Sequence, residues 1–138
     1  QQFEIAQKVL DAGLVPIIEP EVDIHSPNKF EAEQTLKEEL LDHLNDINEK
    51  DKVIFKLTLP EEDNFYQELI EHPKVMRVVA LSGGYTRQNA NHKLANNKGM
   101  IASFSRALAE GLLYHQSEQD FDDLLGESIK TIAEASNT

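Results

Sequence analysis

The run Val53-Ile54-Phe55-Lys56-Leu57 sets a primary amine inside an otherwise apolar stretch. Burying an ammonium costs several kcal/mol unless it is paired or gives up its proton. The neutral amine that results attacks carbonyl carbons and condenses with them to an imine. A strand lysine can equally run its stem along apolar surface and keep its head in water. Glu19 ends the run Leu14-Val15-Pro16-Ile17-Ile18. Within hydrogen-bond reach of the amine, its carboxyl could carry protons during carbinolamine formation and dehydration. A plain ion pair to Lys56 is its simpler role. Glu21, Asp23 and His25 follow in a loop and read as solvated.

A second set of residues suits an anion. Ser82-Gly83-Gly84 follows the run Val75 to Leu81, and glycines at such a place let backbone N–H groups approach a phosphate at the start of a helix. The same three residues also make an ordinary strand-to-helix turn. Arg106 can bind a phosphate as a planar fork of donors. Taken alone it is a surface arginine, but with the glycine turn it could form a phosphate clamp. Ser103 and Ser105 lie beside it in the chain and are weaker members of the set.

These residues converge only if the right elements carry them. Four short, β-branched apolar runs, Leu14–Ile18, Lys52–Leu57, Val75–Leu81 and Met100–Phe104, read as strands covered on both faces. Pro16 weakens the first. Between them Ser26-Pro27 predicts a helix start, followed by Phe30, Leu36, Leu40, Leu44 and Ile47 at helical spacing. Asp63 or Asn64 can cap a second helix that stops at His72-Pro73. Further helices are predicted over Thr86–Asn96 and Arg106–Tyr114, and from a capping box at Ser117 and Asp120. An opening helix through Phe3, Ala6, Val9 and Leu10 ends at Gly13. The order is one helix and then four β/α units, with no linker between them. Right-handed crossovers make such strands parallel, so all four end on one rim, where Glu19, Lys56, Ser82 and Ser103 to Arg106 collect.

Composition narrows the function. With 25 acidic and 13 basic residues in 138, the net charge is −12, which repels nucleic acid and anionic membranes. There is no cysteine, hence neither a disulfide framework nor a thiolate nucleophile. The apolar runs are far below the roughly 20 residues of a membrane span, so a cytoplasmic setting is expected. The five histidines are too scattered along the chain for a compact zinc motif. Gln1 is not an initiator Met, and this start reads as a cut end.

Ile18-Glu19-Pro20-Glu21, Lys56-Leu57, Leu81-Ser82-Gly83-Gly84 and Ser103-Phe104-Ser105-Arg106-Ala107-Leu108 together resemble the class I fructose-1,6-bisphosphate aldolases, most closely the bacterial branch. The resemblance covers essentially the whole chain. It implies a C-terminal half of a (β/α)8 barrel, one half-barrel domain over residues 1–138 that resembles strands five to eight. It implies reversible cleavage of fructose 1,6-bisphosphate to dihydroxyacetone phosphate and glyceraldehyde 3-phosphate, with no metal and no other cofactor. Lys56 would be the Schiff-base lysine, Glu19 the proton carrier, and Ser82, Gly83 and Arg106, with Ser103 and Ser105, the ligands of the ketose C1 phosphate. The first-strand aspartate, the fourth-strand lysine and most ligands of the second phosphate belong to the other half. The chain ends Ser136-Asn137-Thr138, without the terminal tyrosine of the animal enzymes, and Ser105 stands where they usually have glycine. Self-association, or pairing with the N-terminal half, is expected because a half barrel leaves open sheet edges and an uncovered inner face. A sugar-phosphate-binding fragment and another imine-forming lyase or transaldolase-like enzyme are the alternative functions.

Overall fold

The computed structural model describes residues 1–138. The elements are α1 (Gln2–Asp11), β1 (Ile17–Ile18), α2 (Lys29–Asn45), β2 (Val53–Thr58), α3 (Gln67–Glu71), β3 (Val75–Leu81), α4 (Arg87–Ala95), β4 (Ile101–Ala102), α5 (Arg106–Ala109) and α6 (Glu118–Ala135). The strands form one sheet in the order β1-β2-β3-β4, and every pair is parallel. This α/β arrangement of four parallel strands with flanking helices fits half of a (β/α)8 barrel.

Register assigns the two faces of the sheet. Ile18, Phe55 and Val78 stand side by side and are buried. With Leu57 and Ala80 they pack against a helical layer that includes Leu44, Leu69 and Leu94. The opposite face carries Ile17, Ile54 and Arg77, and one step further on Lys56 beside Val79 and Ile101. Helices cover only the first face: Ile17 is 53 % exposed, and Arg77 is exposed as well. The expectation of strands covered on both faces is thereby corrected. The uncovered face is the inner face expected of a half barrel.

Strand β3 has the predicted bounds, and β2 is shifted by one residue. The outer strands are much shorter than their apolar runs. In the first run only Ile17 and Ile18 pair with β2, while Leu14 and Val15 are exposed. The last strand keeps only Ile101 and Ala102. Each outer strand has a neighbour on one side only, so apolar composition alone does not extend its ladder.

The helices differ from expectation mainly at their starts. Ser26 accepts from the amide of Asn28 at 3.3 Å in a turn before α2, whose N-cap is Asn28. Asn64 adopts φ 60° and its side chain accepts from the amide of Lys98, so α3 starts only after Tyr66. Thr86 caps α4 by accepting from the amide of Asn89, and Ser117 caps α6 through Asp120 as its capping box predicts. The helix predicted over Arg106–Tyr114 stops at Ala109. Glu110 leaves helical geometry and Gly111 sits at φ 86°.

Candidate functional site

Lys56 lies two residues before the end of β2, and Glu19 directly follows β1. Pairing of Ile18 with Phe55 brings the two side chains to the same rim. Lys56 Nζ donates to Glu19 Oε2 at 2.8 Å. The lysine side chain is 26 % exposed and the glutamate 49 %, so the amine sits recessed on the open face, its head reachable from solvent.

Glu19, Glu21, Lys56, Leu81, Ser82, Ser103, Ser105 and Arg106 line one polar cleft of about 150 Å3 at the C-terminal ends of the strands. Six of the seven residues singled out in the sequence thus share one concavity. Gly83, the seventh, adjoins it in the backbone of the turn. Ser82 is buried where β3 ends, and its carbonyl accepts from the amide of Tyr85 at 2.8 Å, which closes a turn over two glycines. Gly83 has φ 60°, and a Cβ there would lie 2.8 Å from Ile24 Cγ2. Any side chain at that position meets both backbone strain and a clash. Ser103 is set by β4, its amide donating to the Ala80 carbonyl at 2.8 Å. Arg106 opens α5 and is mostly exposed.

Two members of the site differ from expectation. Glu21 is not merely a solvated loop residue: it lines the cleft, and its carboxylate lies 3.8 Å from Arg106 Nη2. A bound anion would compete with it for the guanidinium. Asp23 and His25 do lie in exposed loop, with the Asp23 carboxylate accepting from the His25 amide. Thr58 is a residue that the motifs do not single out. Its buried hydroxyl accepts from the Val22 amide at 3.0 Å and donates to the Val22 carbonyl at 2.9 Å. One side chain therefore ties the loop after Glu19 to the end of the strand bearing Lys56. The Pro20-Glu21-Val22 segment has no sequence pattern that announces this tie.

Behind the site lies a buried ionic group. Lys29 Nζ donates to a Glu33 carboxylate oxygen and, at 3.0 Å, to the Leu59 carbonyl. Glu33 Oε2 accepts from the Glu61 amide at 2.9 Å. These contacts hold the loop that leaves β2 just beyond Lys56. The i,i+4 spacing of Lys29 and Glu33 on a helix is the signal that points to their pairing.

Chemically, the rim joins an amine, a carboxyl within hydrogen-bond distance and an anion-sized polar cleft with one guanidinium. Such a set can condense with a carbonyl compound that carries an anionic group a few atoms away.

No family model matches the chain. Among curated proteins, it is 56 % identical over 138 residues to a fructose-bisphosphate aldolase class 1 of Synechocystis sp., covering all of this chain and 46 % of that protein. It is 53 % identical over 138 residues to one of Clostridium acetobutylicum, covering 100 % and 47 %. It is 54 % identical over 136 residues to one of Porphyromonas gingivalis, covering 99 % and 46 %. The chain spans about half the length of the curated relatives it matches. Along its whole length, it aligns with the C-terminal part of bacterial proteins named class 1 fructose-bisphosphate aldolase.

Proposed function

We propose that this chain supplies the imine-forming half of a class I fructose-bisphosphate aldolase. The observation that carries the reading is the 2.8 Å contact of Lys56 and Glu19 inside a cleft that also gathers Ser82, Ser103, Ser105 and Arg106. In this reading the Lys56 amine attacks the C2 carbonyl of fructose 1,6-bisphosphate. Glu19 protonates the oxygen so that it leaves as water, and a protonated imine remains. As a carboxylate base takes the C4 hydroxyl proton, the C3–C4 bond breaks, its electron pair moves into the imine to give an enamine, and glyceraldehyde 3-phosphate is released. Protonation of the enamine and hydrolysis then return dihydroxyacetone phosphate and the free amine. Ser82, the Gly83 amide and Arg106, assisted by Ser103 and Ser105, hold the C1 phosphate.

The groups that assist bond cleavage and bind the second phosphate come from the other half of the barrel, which pairs with this half across its open edges. In the absence of that half, the chain associates with itself. No helix is long and apolar enough to cross a membrane, and the proposed setting is the cytoplasm.

Borohydride trapping tests the assignment. After incubation with dihydroxyacetone phosphate and reduction, peptide mass analysis should find the adduct on Lys56 and none in Lys56→Arg. Absence of any adduct would leave sugar-phosphate binding alone. An adduct that forms as readily with sedoheptulose 7-phosphate as with fructose 1,6-bisphosphate would favour a transaldolase-like enzyme.

A further inference from the structure

The two segments that bear the phosphate ligands are fastened together by a pair of side chains that touch neither the cleft nor the amine. Arg87 opens α4, just past the Ser82–Tyr85 turn, and Glu110 follows the last residue of α5. Arg87 Nη1 donates to the Glu110 carbonyl at 2.8 Å and to the Ala107 carbonyl at 3.3 Å. In return a Glu110 carboxylate oxygen accepts from the backbone amide of Arg87 at 2.6 Å.

Each side chain thus satisfies groups that the other's helix leaves open. The cation meets carbonyls at the C-terminal end of α5, and the carboxylate meets a first-turn amide of α4, both in the favourable sense for a helix dipole. The need is greatest in α5. A single turn of four residues does not sustain itself, since fixing the first turn yields too few hydrogen bonds for the freedom lost.

We propose that Arg87 and Glu110 are positioning residues that hold Arg106 at a fixed distance from the Ser82-Gly83 turn, and so set the affinity for the substrate's phosphate without contacting it. The proposal rests on the reading of the cleft as a phosphate site. It differs from that reading in assigning selectivity to residues outside the cleft.

The test compares the rates of borohydride trapping at Lys56 with dihydroxyacetone phosphate and with unphosphorylated dihydroxyacetone, both below saturation, in the full-length protein. Arg87→Met should lower trapping of the phosphorylated ketone on the order of tenfold to a hundredfold, as a misplacement near 1 Å does. Trapping of dihydroxyacetone should stay within about twofold, because its chemistry does not use the clamp. Glu110→Ala, at an exposed position that tolerates truncation, should shift the same ratio by less. It keeps the proposal testable if Arg87→Met does not fold. Equal losses for both ketones, or an unchanged ratio in either folded variant, would overturn the proposal. Arg106→Ala separates the two readings: if it leaves the preference for the phosphorylated ketone intact, the phosphate site itself is wrong, and the clamp's role falls with it.

Discussion

Tyr66 is fully buried, its hydroxyl has no hydrogen-bond partner, and burial together with the nearby Glu33 carboxylate pushes its pKa well above the ordinary phenol value near 10. The folded state keeps this proton at a pH where the unfolded chain gives it up. Stability from the neutral phenol is therefore fully present below about pH 10 and is lost as pH rises above it, by up to about 1.4 kcal/mol per pH unit. Tyr66→Phe should reduce this alkaline loss while costing little near neutrality, since no hydrogen bond is removed. Urea midpoints at pH 8 and pH 10.5 check both parts. A midpoint that falls equally in the two proteins between these pH values contradicts the role of Tyr66. The Lys29–Glu33 pair sits in the same region, and its two members are almost wholly buried.

At the scale of elements, the tie between Thr58 and Val22 joins two consecutive β/α units at the rim. Thr58→Val keeps the shape but leaves the Val22 amide and carbonyl without these partners, which should cost ~1–3 kcal/mol in denaturant unfolding. Thr58→Ser, which keeps the hydroxyl, should cost clearly less. Equal stability of Thr58→Val and the parent chain would mean that water replaces the tie. The central strands were legible from apolar runs because β2 and β3 each have a neighbour on both sides and a buried face. That the candidate site residues share one rim was legible, because strand ends in this topology must do so. The tie itself was not. A threonine at the end of a β-branched strand looks like any other strand residue, and its partner is a backbone group 36 positions away. The same holds for Arg87 and Glu110, whose contacts run through backbone atoms that carry no residue signature. The short α5 was partly legible, since Gly111 marks its stop, but helical composition through Leu112 and Leu113 masked that signal.

Over the whole molecule, the unused surfaces lie at the sheet edges. Beyond β4, residues such as Ile101, Leu108, Ile129 and Ile132 line an apolar groove of about 540 Å3. Beyond β1, Ile5, Val9, Val15 and Ile17 line another of about 510 Å3. Each stands beside a strand with one unpaired side, which is a template for another chain. Light scattering of the isolated chain at micromolar concentration should therefore give a mass above its own 15.6 kDa. Ile17→Lys, which puts a charge on the exposed edge, should lower that mass. A compact monomer for the parent chain would contradict the proposed self-association.

Strand order in this sheet equals chain order, so Glu19, Lys56, Ser82 and Arg106 come from successive units that touch their nearest neighbours. Seen as a timetable rather than a shape, this means that ring closure is not required for the rim to take form. During synthesis the Lys56–Glu19 contact can form once β2 has docked on β1, and the cleft with Ser82 and Arg106 two units later. The opposite arc of the proposed barrel, being N-terminal, would have left the ribosome before this one.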